Sequence, residues 1–175
     1  MIVLLIILFL VAIPLILALF VKKDYIVIRE VIIHRSVEDV FQFIKHLKNQ
    51  DQYSKWATMD PQMKKTYTGT DAEVGFISAW DSTDKNVGVG EQEIKKISEN
   101  ERIDFELRFL KPFKALHLAH MSTAKISDNQ TKVLWSFEGY MKYPMNLMML
   151  FMNFDKMIGD DLATGLSRLK DNLES

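Results

Sequence analysis

The chain has 175 residues, and its 22 Lys and Arg nearly balance 23 Asp and Glu, for a net charge of −1. Acidic and basic residues are interspersed, so there is no basic stripe of the kind that binds nucleic acid. Cysteine is absent, which excludes disulfides, thiol nucleophiles and Cys-ligated zinc.

The chain opens on an apolar run, Ile2 to Val21, without one charged or polar side chain. About 20 helical residues cross the hydrocarbon core of a bilayer. Residues 1–21 are therefore expected to form a single transmembrane helix, with Pro14 tolerated inside it. A cleaved secretory signal fits less well: the run is too long, and Ala18-Leu19-Phe20 is not a small-x-small cleavage site. Lys22 and Lys23 follow at once, and Arg29 and Arg35 soon after. The positive-inside rule then places the domain that follows, residues 22–175, on the cytoplasmic side. That remainder is one domain's length.

Tyr25 to Ile33 is rich in β-branched residues and predicts a first strand. Ser36, with Asp39 three residues on, approximates a capping box for a helix that carries Val37, Val40, Phe41, Ile44 and Leu47 on one face. A short helix or turn from Asp51 to Ala57 carries Tyr53 and Trp56. Strands are then predicted over Met63–Thr70, Phe76–Asp81, Val87–Ser98 and Arg102–Leu110. The last of these alternates strictly, with Ile103, Phe105, Leu107 and Phe109 on one face and Arg102, Asp104, Glu106 and Arg108 on the other. Leu116–Ser127 and Thr131–Met141 form a final hairpin around Asp128-Asn129-Gln130.

Tyr143 to Leu173 reads as one long helix. Its apolar residues recur every three or four positions, from Leu147 through Phe151, Ile158 and Leu166 to Leu173. Pro144 suits its first turn. Strands joined by short turns make an antiparallel meander. A bent meander of about seven strands, wrapped on one long C-terminal helix and preceded by a transmembrane helix, is an α+β helix-grip arrangement.

At this point the residues resemble the SRPBCC superfamily of START-like helix-grip proteins, in particular the bacterial polyketide cyclase/dehydrase and lipid transport branch. Val37-Glu38-Asp39-Val40-Phe41 is similar to its first-helix motif. Tyr53-Ser54-Lys55-Trp56 with Met59-Asp60-Pro61 resembles its W-x-x-W…DP segment, Tyr53 standing where tryptophan is commoner. Val74-Gly75-Phe76 and Trp80, then Val87-Gly88-Val89-Gly90-Glu91, resemble its hairpin. Trp135 and Gly139 match a strand, and Asp155-Lys156-Met157-Ile158-Gly159 with Gly165-Leu166-Ser167-Arg168-Leu169-Lys170 resembles its C-terminal signature. The resemblance implies residues 22–175 as a START-like domain that binds or acts on apolar molecules, and often one N-terminal span. It names no ligand.

Several motifs imply less than they suggest. Gly88-Val89-Gly90 lacks the rest of a dinucleotide fingerprint and reads as a hairpin turn or bulge. Asn129-Gln130-Thr131 fits a glycosylation sequon at a hairpin tip, a match expected by chance. His117 and His120 are three apart on a strand and so point to opposite faces. They cannot share a metal, and no metal or other cofactor is expected. His34 and His46 read as surface. Met141, Met145, Met148, Met149, Met152 and Met157 suit either core packing or an adaptable lining for apolar shapes. Gly159 and Gly165 weaken the helix and suggest close approach to the sheet or a bend.

The expected function is binding of a hydrophobic small molecule or lipid between sheet and C-terminal helix. The candidate cavity residues are Trp80, His117, His120, Trp135 and Tyr140, with Trp56 at the rim and Met148 and Met152 on the helix side. No catalytic residue is assigned. The alternatives are a cyclase- or hydrolase-like reaction in the same cavity, or an interaction module without a ligand. A histidine beside a carboxylate inside the cavity would favour chemistry.

Overall fold

A computed structural model describes the backbone from Ile2 to Ser175 and side chains from Phe9 onward. Helix α1 spans Ile2–Phe20. Among the described residues, no helix is long and apolar enough to cross a membrane. Part of the expected span over residues 1–21 lies outside those residues. From Phe9 to Phe20 the large apolar side chains of α1 are exposed, while Ala18 is buried.

The chain then enters β1 (Asp24–Ile33), α2 (Val37–Lys45), α3 (Gln50–Tyr53) and α4 (Lys55–Thr58). Ser36 caps α2, its side chain accepting the Asp39 N–H at 3.1 Å. Six strands follow: β2 (Lys64–Thr68), β3 (Ile77–Asp81), β4 (Val89–Ser98), β5 (Arg102–Lys111), β6 (Ala115–Ser127) and β7 (Gln130–Tyr140). Helix α5 (Phe154–Glu174) ends the chain.

The seven strands form one antiparallel sheet in the order β1-β7-β6-β5-β4-β3-β2. The meander runs from β2 to β7, and β1 closes its far edge against β7, pairing Asp24 with Tyr140 and Ile33 with Thr131. Register shifts in β4 at Val89/Gly90 and Ile94/Lys96 mark bulges, which bend a strand and increase its twist. The concave face carries Val27, Ile94, Ile103, Phe105, Met121, Val133 and Trp135, all buried. Leu162, Leu166 and Leu169 of α5 and Val40, Phe41 and Ile44 of α2 pack onto that core. This is the expected α+β helix-grip arrangement of seven strands.

The long helix differs from expectation at its start. Tyr143 to Leu173 is not continuous: Met145–Leu150 is a 3-10 turn, and α5 begins only at Phe154. Asn153 supplies the reason, since its side chain accepts the Lys156 N–H at 2.9 Å and caps α5 there. Asn146 holds the preceding turn elsewhere, donating from Nδ2 to the carbonyls of Ala18 at 2.7 Å and Val21 at 2.9 Å. The turn thus belongs to the end of α1, where it satisfies carbonyls that a helix leaves unpaired.

Gly159 and Gly165 mark close approach, with no break in α5. A Cβ on Gly165 would lie 2.8 Å from the Trp135 ring, and one on Gly159 would meet the Arg29 guanidinium. Arg29 spans the same contact, donating from Nη2 to the Asp155 carbonyl at 2.8 Å and pairing with its carboxylate at 3.1 Å.

Candidate functional site

A cavity of about 340 Å³ lies between the concave face of the sheet, α3–α4 and the first turns of α5. An aromatic row crosses its roof. Trp80 of β3 meets Phe109 of β5 edge-on at 5.7 Å. Phe109 meets His117 of β6 at 5.4 Å, and His117 meets Phe137 of β7 at 5.2 Å. All four side chains line the cavity.

Strand β4 lies between Trp80 and Phe109, and Gly90 is what lets the indole cross it. A Cβ on Gly90 would lie 2.6 Å from the Trp80 ring. The two glycines of Gly88-Val89-Gly90 therefore do different work. Gly88 takes a φ of +66° beneath the Lys111 carbonyl, a conformation that favours glycine, while Gly90 makes room for a cavity residue.

The opposite wall is Trp56 of α4, edge-on to Trp135 at 6.3 Å, with Ile158 of α5 and Tyr25 of β1. Tyr25 covers Gly139 and stacks on Phe154 at 4.9 Å, which fixes the start of α5 against the sheet. A polar side comes from α3 and the residue that follows it, where Gln50 and Ser54 are buried. Next to them Asp51 pairs with Lys65 at 2.7 Å and accepts the Tyr67 hydroxyl at 2.8 Å.

Of the residues singled out in the sequence, Trp56, Trp80, His117 and Trp135 line this cavity. The others lie elsewhere. His120 faces the convex side, its Nδ1 3.7 Å from Glu138. Tyr140 is exposed at the end of β7. Met148 and Met152 are half-buried around the 3-10 turn, outside the wall. Tyr25, Phe109 and Phe137 were not singled out. The strict alternation of β5 already placed Phe109 on the buried face, and Phe137, two residues after Trp135, shares its face by the same period.

Burial lowers the pKa of His117, although the nearby Glu138 carbonyl opposes the shift. Its Nδ1 is buried without a hydrogen-bond partner among the described residues, as is Nε2 of Gln50. Burial also lowers His120, helped by Arg102 and opposed by Glu138 and Asp104. Tyr53, fully buried against Trp135 at 5.8 Å, donates its hydroxyl to the Met121 sulfur at 3.5 Å, and burial pushes its pKa up. Among the described residues, no group of three or more His, Asp or Glu could hold a metal ion.

The sequence matches no protein-family model, and no curated protein matches it. Solved structures do share its architecture. Norcoclaurine synthase from Thalictrum flavum, in complex with dopamine and hydroxybenzaldehyde, aligns with a TM-score of 0.60 at 10% identity over 87% of this chain and 89% of that one. The Aha1 dimer from Colwellia psychrerythraea aligns at 0.59 with 16% identity over 86% and 96%. The di-domain ARO/CYC BexL of the BE-7585A biosynthetic pathway aligns at 0.62 with 14% identity, over 87% of this chain and 51% of that longer one. Likeness at such identities is likeness of fold, and the fold these structures share with this chain is the helix-grip arrangement of a curved antiparallel sheet on a C-terminal helix.

Proposed function

We propose that this chain is a membrane-anchored binding protein for a hydrophobic small molecule or lipid held between the sheet and α5. The aromatic-walled cavity of about 340 Å³ carries the reading. Small-molecule sites of roughly 300–1,000 Å³ are mostly apolar, with a few polar groups that fix orientation. Here Trp56, Trp80, Phe109, Trp135 and Phe137 supply apolar surface, while Gln50 and His117, each with a buried nitrogen that lacks a partner among the described residues, are among the polar residues of the wall. A turn of either side chain on binding would bring its nitrogen to a ligand's polar group, the partner that buried nitrogens normally have.

The anchor in this reading is α1. Its apolar side chains from Phe9 to Phe20 project on all sides, and the domain covers little of them. Ile2 to Val21 is long enough in sequence to span a bilayer, and Lys22 and Lys23 would keep the domain on the cytoplasmic side. Anchoring confines the cavity near membrane-borne ligand and raises its effective concentration.

Chemistry in the cavity is the weaker reading, because a general base needs an orienting partner. His117 stands between two phenylalanine rings, and the histidine that meets a carboxylate, His120, lies outside the cavity. Native mass spectrometry of the full chain, released from membranes in mild detergent, tests the proposal. An apolar molecule should co-purify. Ala115→Trp, at the cavity rim, should expel it while the thermal transition remains. A chain that is empty in its native form, yet carries a stable protein partner, would sink the reading.

A further inference from the structure

We infer that the end of the sheet from which α1 emerges is a docking surface for an anionic lipid bilayer, so that the cavity opens against the membrane. This rests on the reading of α1 as an anchor. Register brings the parts together. Asp24, just after α1, pairs with Tyr140 at the end of β7. The β6–β7 register, in which Leu118 faces Glu138, puts the start of β6 at the same end. Phe109 of β5 pairs with Ala115, so the turn from Lys111 to Lys114 lies there too. Gly88, packed beneath the Lys111 carbonyl, adds the β3–β4 loop. Neighbouring strands are about 5 Å apart, so the four strand ends from β1 to β5 share one patch roughly 15 Å across.

Two kinds of side chain crowd this end. The first is apolar and unprotected: Phe113 is 78% exposed and Phe151 84% exposed, with exposed Leu150 next to Phe151 and exposed Met145 at the start of the same 3-10 turn. Exposed aromatic and aliphatic groups beside an apolar helix suit the headgroup–acyl boundary. The second is cationic. Lys22, Lys23, Lys85, Lys111, Lys114 and Lys142 have no ion-pair partner among the described residues. At the opposite end Lys45 pairs with Glu99, Lys125 with Asp128 and His34 with Glu174, and among the described residues Arg35 and Lys96 are the basic side chains left without an ion pair near the ends of β1 and β4. The six lysines of the α1 end outnumber Asp24, Asp81 and Asp84, carboxylates without an ion pair among the described residues at the same strand ends, and an excess of lysine around exposed aromatic rings is complementary to an anionic leaflet. The same end forms the cavity rim, since Lys85, Asn86, Lys111, Pro112 and Phe113 are both exposed and part of its wall. Asn146 fixes this surface to α1 through the Ala18 and Val21 carbonyls, so an inserted α1 would bring Phe151 and Phe113 to the interface.

The absence of native cysteine makes site-specific labelling direct. Single variants Leu10→Cys, Phe113→Cys, Phe151→Cys and Asn129→Cys of the full chain would each carry a polarity-sensitive fluorophore. They would be reconstituted into vesicles of phosphatidylcholine alone or mixed with phosphatidylglycerol, with nitroxide-labelled lipid as quencher. Docking requires labels at 113 and 151 to be quenched several-fold more than the label at 129, and more strongly in the anionic vesicles. Quenching at 10 with labels at 113 and 151 as wet as 129 would keep the anchor and overturn the docking surface. Labels at 113 and 151 shielded by a second copy, seen as label-to-label energy transfer without nitroxide quenching, would overturn it as well. If position 10 is unquenched the anchor fails, and docking then stands or falls on positions 113 and 151. Equal quenching in both vesicle types would overturn the role of the lysines.

Discussion

Gly159 and Gly165 sit on the same helix and face the same sheet, yet replacing them should have different consequences. Alanine gains about 1 kcal/mol over glycine in a helix interior. At Gly165 the new methyl would press on the Trp135 ring, which is held between Tyr53 and Trp56. Overpacking of that kind costs about 1–3 kcal/mol, so Gly165→Ala should lose stability in urea denaturation. At Gly159 the obstacle is the end of the Arg29 side chain, which can swing into water. The ion pair lost is part-exposed and worth about 1 kcal/mol or less, so Gly159→Ala should be close to neutral. His117 gives a second residue-scale expectation. Burial lowers its folded pKa below that of the unfolded chain. On acidification the unfolded chain then takes up the proton first, so stability falls as pH drops below about 6.5. His120 acts in the same direction. His117→Leu should flatten part of that slope in denaturation curves measured between neutral pH and pH 5, leaving the share of His120.

At the scale of elements, the segment between β7 and α5 divides its allegiance. Asn153 starts α5 against the sheet, and Asn146 ties the 3-10 turn to α1. Asn153→Ala should cost about 1 kcal/mol, the usual loss for an N-cap, measured by chemical denaturation. Asn146→Ala should leave the sheet's amide protection unchanged and speed hydrogen exchange in the turn at Met145–Leu150, because it frees that turn from α1. The strands were legible in the sequence for a physical reason. Each side chain of β5 alternates between core and water, and that period of two survives any tertiary arrangement. The sequence reads as one long helix because Leu147 and Leu150 continue the spacing of α5. Periodicity reports a face and is silent on whether the backbone turns between two stretches that share one.

For the whole molecule, the cavity is a gap that the fold leaves between a curved sheet and one helix. Its occupancy should be visible in global stability. A ligand that binds only the folded chain stabilises it by about 2.7 kcal/mol at a hundredfold excess over its Kd. If an apolar molecule co-purifies, stripping it with detergent should therefore lower Tm, and adding it back should restore the value. The sequence by itself determined the seven strands, the cap on α2, the apolar N-terminal run and the aromatic character of the site, since these depend on local period and side-chain chemistry. It could not decide which aromatic residues share the cavity. Trp80 reaches Phe109 only because Gly90 lies beneath it on the intervening strand. Met145, Met148 and Met149 likewise lie in the turn beneath α1, which Asn146 ties there across 128 residues of chain. Such choices belong to contacts distant in sequence, and only the tertiary structure makes them.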